Sequence, residues 1–334
     1  MKISNFFKLV FFILFSLFNF HSFCQIKMLE INLENYEYPF PVKYLALNIQ
    51  KQTVQMAYMD VKPSTPNGKS IVLFHGKNFN GAYWKQTAEV LSTKGFRVII
   101  PDQIGFGKSS KPENFQYSFQ QLASNTKQLL DTLGIKSAIV LGHSMGGMLA
   151  VRFCIQYPTF AAKLILENPI GLEDYKIKVP YQSLDTLFKK EMAQNYESLK
   201  KYQLVSYYDN KWKPEYDEWV NIFAGLTLHP NYRLVAWNNA LTTDMIITQP
   251  VYYELPLLKL PTLLIIGQRD RTALGKDLVP TKVKETMGNY PVLGTAAQLK
   301  IKGSKLVKID GIGHLPHIES FEKFMKPLLK FILN

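Results

Sequence analysis

The sequence predicts an α/β fold: a mostly parallel sheet covered by helices on both faces and interrupted by an all-helical insertion. Three observations carry this. Short, wholly apolar runs of strand length alternate with stretches of helical periodicity. The alternation stops between about residues 171 and 255, where apolar residues keep helical spacing among many Tyr, Trp, Gln, Asn and Lys. It then resumes and runs to the C-terminus. Wholly apolar strands belong in the middle of a parallel sheet with both faces covered. The 334-residue chain is 47% hydrophobic and 19% charged, enough to bury a large core, so disorder is excluded as its main state.

In order, residues 44–48, 53–58 and 71–74 read as strands. The turn-rich segment 63–68, with Pro63, Pro66 and Gly68, separates the second from the third. Residues 96–100 form the next strand, 119–133 a helix, 138–141 a strand, 145–157 a helix and 164–166 a strand. After the insertion come strands at 261–266 and 305–309 and an amphipathic helix from about His317 to Leu333. The domain division is therefore residues 25–170 and 256–334 as two parts of one sheet domain, with 171–255 as a helical cap between them.

Residues 1–24 read as a signal peptide. Lys2 and Lys8 precede or open an apolar stretch at 9–18, and Ser22 and Cys24 stand before Gln25. Ser16, Asn19 and His21 interrupt the segment too early for a membrane span, which takes about 20 apolar residues. The expectation is export, periplasmic or secreted. An uncleaved signal or lipid attachment at Cys24 is the only route to a membrane, and His21, Ser22 and Phe23 match lipid-attachment patterns poorly. Cleavage would leave Cys154 as the only cysteine, read as a small buried hydrophobe because its run lacks a polar activating neighbour. The net charge of +13 comes from lysines scattered along the chain, so it supports no nucleic-acid partner.

The chemistry centres on Gly142-x-Ser144-x-Gly146, placed directly after one apolar strand and directly before a helix. Such a turn strains its hinge residue, and small neighbours let it close. Ser144 is thereby lifted into a cleft at the positive end of the following helix. A serine hydroxyl needs a base, and six histidines are available. His21 lies in the signal, His143 sits beside Ser144 on the turn, and His229 falls in the cap. Of His75, His314 and His317, His314 is the expected base, since Gly311 and Gly313 free its loop to reach inward. His317 is its rival, with helix capping or a surface contact as the plainer role. Asp270, after the strand at 261–266, is the expected orienting acid. Glu167 is its rival, Asp102 is read as a turn anchor, and a surface ion pair with Arg269 or Arg271 is the plainer role of Asp270. The oxyanion donors are expected at the backbone N–H groups of Lys77 and Met145.

These residues resemble the α/β-hydrolase superfamily over nearly the whole chain outside the cap. Four blocks carry the resemblance: Phe74-His75-Gly76; Pro101-Asp102 with Gly105 to Ser109; Gly142-His-Ser-Met-Gly-Gly147; and Gly313-His314 with Asp270 upstream. It implies an eight-stranded, mostly parallel sheet, a Ser144, Asp270 and His314 triad, a helical cap over the cleft, and no metal or organic cofactor. Members that use Asp as nucleophile are discounted by Ser144. Proline iminopeptidases, with a Gly-Gly-Ser-Trp-Gly elbow, are discounted by Gly142-His-Ser-Met-Gly.

The expected function is that of a serine esterase: hydrolysis of a carboxylic ester, or related acyl bond, of a small hydrophobic substrate through an acyl-enzyme. The other readings are a ligand-binding protein without turnover, an acyltransferase and a carbon–carbon bond hydrolase. Tyr and Trp crowd the cap, among them Tyr202, Tyr207, Trp212 and Trp237. They suit an amphipathic pocket lining, or they pack the cap against the sheet domain.

Overall fold

The computed structural model describes residues 26–334. The proposed signal segment and Cys24 lie outside these residues. Eight strands form one sheet: β1 (Val42–Ile49), β2 (Gln52–Val61), β3 (Ser70–Phe74), β4 (Arg97–Pro101), β5 (Ala138–His143), β6 (Ala161–Glu167), β7 (Thr262–Gly267) and β8 (Lys305–Ile309). Their spatial order is β1-β2-β4-β3-β5-β6-β7-β8. β1 pairs antiparallel with β2, and β2 antiparallel with β4; every later pair is parallel. Gln50 and Lys51 close the β1–β2 hairpin with positive φ values of 50° and 60°, the twist a two-residue turn needs.

The helices are α1 (Lys85–Thr93), α2 (Phe119–Thr132), α3 (Met145–Gln156), α4 (Leu184–Met192), α5 (Tyr196–Ser206), α6 (Asp217–Thr227), α7 (Tyr232–Thr248), α8 (Thr281–Lys284), α9 (Tyr290–Lys300), α10 (Pro316–Glu319) and α11 (Phe321–Leu333). Side chains alternate across each strand, and the two faces gather separate cores. Val140 of β5 joins Leu129 of α2, Leu149 of α3 and Ala297 of α9. Ile139 and Leu141 join Leu91 of α1 and Leu328 of α11. β3, β5 and β7 are buried almost throughout, which explains their unbroken apolar sequences. Between β6 and β7 the chain makes α4 to α7, where the strand rhythm is lost.

The C-terminal helix is shorter than the sequence pattern suggests. It breaks at Ser320 (φ −156°, ψ 72°), so Pro316 to Glu319 form a separate turn and α11 begins at Phe321. Apolar periodicity continues across the break because both pieces pack on the same core, which hides the interruption from a periodicity reading. Among the described residues, no helix is long and apolar enough to cross a membrane.

This topology positions the site. From β3 the chain moves outward to β4 and then crosses back to β5 on the other side of β3. Loops leaving the carboxyl ends of β3 and β5 therefore diverge, and the crevice between them is where open α/β sheets hold ligands.

Candidate active site

Ser144 stands between β5 and α3 with φ 55° and ψ −121°, a conformation that costs a non-glycine residue about 1–3 kcal/mol. Close approach on both sides permits the turn. A Cβ at Gly142 would lie 2.1 Å from the Gly146 carbonyl oxygen, and one at Gly146 would lie 2.3 Å from that of Phe74. The Ser144 N–H donates to Glu167 O (3.2 Å), tying the elbow to β6.

His314, on the loop after β8, places Nε2 3.0 Å from Ser144 Oγ. Its Nδ1 lies 2.7 Å from Asp270 Oδ2, on the loop after β7. His314 and Asp270 are both fully buried and Ser144 is 6% exposed. The three residues singled out in the sequence thus meet at the carboxyl edge of the sheet. Asp270 Oδ1 accepts from Thr272 N (2.8 Å). Arg269 and Arg271 do not pair with its carboxylate: Arg269 binds Glu319, and Arg271 donates to the Asp270 backbone carbonyl.

Sequence reasoning missed Asn168. Its Nδ2 donates to Asp270 Oδ2 (2.7 Å), and its Oδ1 accepts the Gly267 N–H (2.8 Å). These two contacts fix which end of the amide is which. Its φ of 36° is of a kind Asn tolerates better than most residues. The available signal was its place at the carboxyl end of β6, one residue beyond Glu167.

The two rivals find each other instead. Glu167 Oε1 accepts from His317 N (2.9 Å) and lies 2.8 Å from His317 Nδ1, so Glu167 is the partner of His317. His317 neither caps a helix nor lies at the surface: it is 3% exposed and stacks on Trp84, with ring centroids 4.4 Å apart. Asp102 anchors the turn after β4, accepting from Lys108 N (2.7 Å), Gly81 N (2.6 Å) and Tyr38 OH (2.7 Å). His75 Nε2 accepts from Gln103 N (3.0 Å), and burial lowers its proton affinity. His229 meets Glu30 (3.1 Å).

Lys77 and Met145 flank the nucleophile through the close approach of Gly76, whose Cβ position is 3.0 Å from Ser144 Cβ. Among the described residues, no backbone acceptor takes the N–H of either. The Lys77 ammonium reaches the cap, 3.2 Å from Glu191 of α4. Cys154 is buried and free, and burial pushes its thiol pKa up, as expected of a packing residue. Among the described residues, no cluster of three or more His, Cys, Asp or Glu side chains is arranged to hold a metal.

The cap closes on this site from above. Tyr207 stacks on the His314 ring (4.7 Å, 23°), and its carbonyl accepts the His314 N–H (3.4 Å). Glu319 accepts the Gly313 N–H (2.9 Å) and pairs with Arg269, which donates to Tyr208 O (3.0 Å). Of the other cap aromatics, Tyr208, Trp212 and Tyr216 pack mainly on one another, Tyr208 stacking on Tyr216 at 3.7 Å. A cavity of about 30 Å³ beside the Lys77 loop is lined by Asn78, Phe79, Phe106, Ile222, Phe223 and Asn239, among others.

A family model described as the alpha/beta hydrolase fold matches residues 69–321. A probable hydrolytic enzyme from Pseudomonas aeruginosa PAO1 superposes with a TM-score of 0.91 at 47% identity, over 92% of this chain and 99% of that one. The AB hydrolase superfamily protein YisY of Bacillus subtilis is 27% identical over 79% of this chain and 92% of its own length. A 2-hydroxy-6-oxo-6-phenylhexa-2,4-dienoate hydrolase of Comamonas testosteroni is 32% identical over 42% of this chain, a match spanning about half (51%) of that relative. With the eight-stranded sheet and the strand–elbow–helix around Ser144, the match over residues 69–321 places this chain in the alpha/beta hydrolase family.

Proposed function

We propose that the protein is a serine hydrolase that cleaves a carboxylic ester by acyl transfer. The observation that carries this is the relay from Ser144 Oγ to His314 Nε2 (3.0 Å) and from His314 Nδ1 to Asp270 (2.7 Å). In this reading Ser144 Oγ attacks the carbonyl carbon while its proton passes to His314 Nε2. The carbonyl oxygen becomes an oxyanion facing the Lys77 and Met145 N–H groups. His314 then gives its proton to the leaving alcohol as the C–O bond breaks, leaving an acyl-serine. Water, deprotonated by the same imidazole, releases the acid. Asp270 holds the ring in the tautomer that accepts at Nε2 and stabilises the imidazolium. Asn168 and Thr272 hold Asp270.

A hydrophobic substrate is supported by Phe79, Phe106, Ile222 and Phe223 beside the Lys77 loop. Ser144 is only 6% exposed, so in this reading the cap and the loops around it part to admit an acyl group. The named substrate of the C. testosteroni relative is a 6-oxo-dienoate, which makes cleavage of a carbon–carbon bond in such a keto acid the second reading.

The test is labelling with a fluorophosphonate together with turnover of a panel of aryl esters, alkyl esters, lactones and 6-oxo-dienoates. The expected result is one adduct at Ser144 and ester turnover that falls by 10³-fold or more in Ser144→Ala with the fold retained. Absence of an adduct in folded wild type would overturn the nucleophile. Turnover confined to the dienoates would favour the second reading.

A further inference from the structure

Behind the triad runs a second chain of hydrogen bonds that the acyl-transfer mechanism does not use. The Gly76 N–H donates to Tyr83 OH (2.8 Å), Tyr83 OH lies 3.0 Å from His143 Nδ1, and His143 Nε2 lies 2.8 Å from the His314 carbonyl oxygen. Gly76, His143 and His314 are buried, and Tyr83 is 4% exposed. A carbonyl can only accept, so His143 carries its proton on Nε2 and accepts at Nδ1. The Tyr83 hydroxyl takes the Gly76 N–H on a lone pair and gives its own proton to Nδ1. One neutral tautomer therefore satisfies every group in the chain. Neutrality is also what the surroundings demand: burial lowers the proton affinity of His143 well below the usual range, and the nearby His314 and His317 add to the effect.

We propose that His143 is a positioning residue for catalysis, a neutral imidazole strut that sets the oxyanion loop and the base loop in register with each other. The inference rests on the serine-hydrolase reading of the site. Its basis is where the three ends lie. Gly76 immediately precedes Lys77, whose N–H faces the oxyanion, and the Gly76 Cβ position is only 3.1 Å from His143 Nδ1. The far end of the strut grips the base residue itself, through its carbonyl. The strut is the last residue of β5, next to Ser144. The two loops leave strands β3 and β8, which are not neighbours in the sheet, so no ladder fixes their separation. Asp270 orients the His314 ring, whereas His143 holds the His314 backbone relative to the oxyanion donors. Tyr83 is itself clamped, stacked on Phe79 (5.0 Å, 14°) and packed on Trp84 (4.8 Å). An imidazole also has no rotatable bond between its two nitrogens, so the strut has a fixed length.

The test measures kcat and KM on one p-nitrophenyl ester for the full chain and for Tyr83→Phe, His143→Asn, His143→Gln and the Tyr83→Phe/His143→Gln double variant. Sites are counted by fluorophosphonate titration, so that misfolded protein drops out of kcat. Asn keeps an acceptor near the place of Nδ1, and Gln keeps a donor near that of Nε2, so each retains one half of the strut. The expected result is a fall of about tenfold or more in kcat per titrated site for each single variant, with KM changed less than about threefold, because loops displaced by a fraction of an ångström lose transition-state alignment before they lose binding. His143→Gln already severs the Tyr83 link, so the double variant should lose little more than His143→Gln alone; independent packing losses would instead multiply. Histidine ¹⁵N NMR of the wild type should show His143 protonated at Nε2 only, without titration from pH 5 to 9, and this measurement needs no variant to fold.

A kcat per site within twofold of wild type in Tyr83→Phe would overturn the proposal, as would multiplying losses or a His143 that is protonated at Nδ1. Wild type that takes no fluorophosphonate would overturn the hydrolase reading, and the strut with it. Labelled wild type with unaltered variants would overturn the strut alone.

Discussion

Asn168→Asp changes one NH2 for an oxygen at the side chain that, beside His314, donates to the orienting carboxylate. Asn168 Nδ2 lies 2.7 Å from Asp270 Oδ2, so the substitution sets two carboxylates face to face. With charge centres about 4 Å apart and an effective dielectric near 20, two ionised groups repel by about 4 kcal/mol. That repulsion disfavours ionising both carboxyls at once, so the pair tends to keep one proton and the imidazolium formed at His314 faces a diluted charge. The sign for stability follows: a carboxyl pair that holds a proton more tightly when folded than when unfolded loses stability as pH rises. The melting temperature of the variant should therefore lie closest to wild type at pH 5 and fall progressively behind it by pH 8. Losing the orienting acid outright costs a triad about 10⁴ in kcat, so a diluted charge should cost about 10- to 10³-fold. The assay is kcat/KM for a p-nitrophenyl ester from pH 5 to 9, with thermal unfolding in the same buffers. Wild-type kcat/KM and melting temperature at pH 8 would refute the claim that Asn168 holds Asp270 by donating to it.

Gly142→Ala would bring a Cβ to 2.1 Å from a backbone carbonyl oxygen that cannot yield without opening the elbow, and urea unfolding should show a loss of more than about 3 kcal/mol. Gly134→Ala, where φ is +70° and nothing lies within 4 Å, should cost about 1 kcal/mol in the same assay; equal losses would contradict the steric account. Lys111 is 9% exposed, its ammonium donating to Gly107 O (2.7 Å) and Ser109 O (3.1 Å), and burial lowers its pKa to about 7 against the pull of Asp102 and Glu34. Between pH 7 and 10 the unfolded chain then binds more protons there than the folded one, so this group makes stability rise with pH by up to about 1.4 kcal/mol per unit. Lys111→Met should remove that slope, and an identical slope in both proteins would exclude Lys111 as its source.

The elbow was legible in the sequence because it is local. A strand, a serine flanked by glycines and a helix occupy one continuous stretch, and the close backbone approaches that let the turn at Ser144 form are permitted by its own near neighbours, Gly142 and Gly146. The same holds for β3, β5 and β7, whose burial on both faces writes itself as unbroken apolar runs. His314 emerged by counting histidines and Asp270 by its place after a strand, both statements about where a chain ends an element. Sequence alone also carried the family resemblance, through four short blocks of this kind.

What only the tertiary structure decided is which distant groups meet. Two imidazoles and two carboxylates wait at neighbouring strand ends, and nothing in the chain near Glu167 says that it takes His317 rather than His314. Asn168 with Asp270, Tyr83 with His143, and Tyr207 with His314 are likewise contacts across 60 residues or more, fixed by sheet order and by where the cap folds back. The physical reason is that local patterns report the backbone state and the buried face of each segment. A hydrogen bond between segments depends on their relative placement to within a few tenths of an ångström, which the packing of all of them together sets.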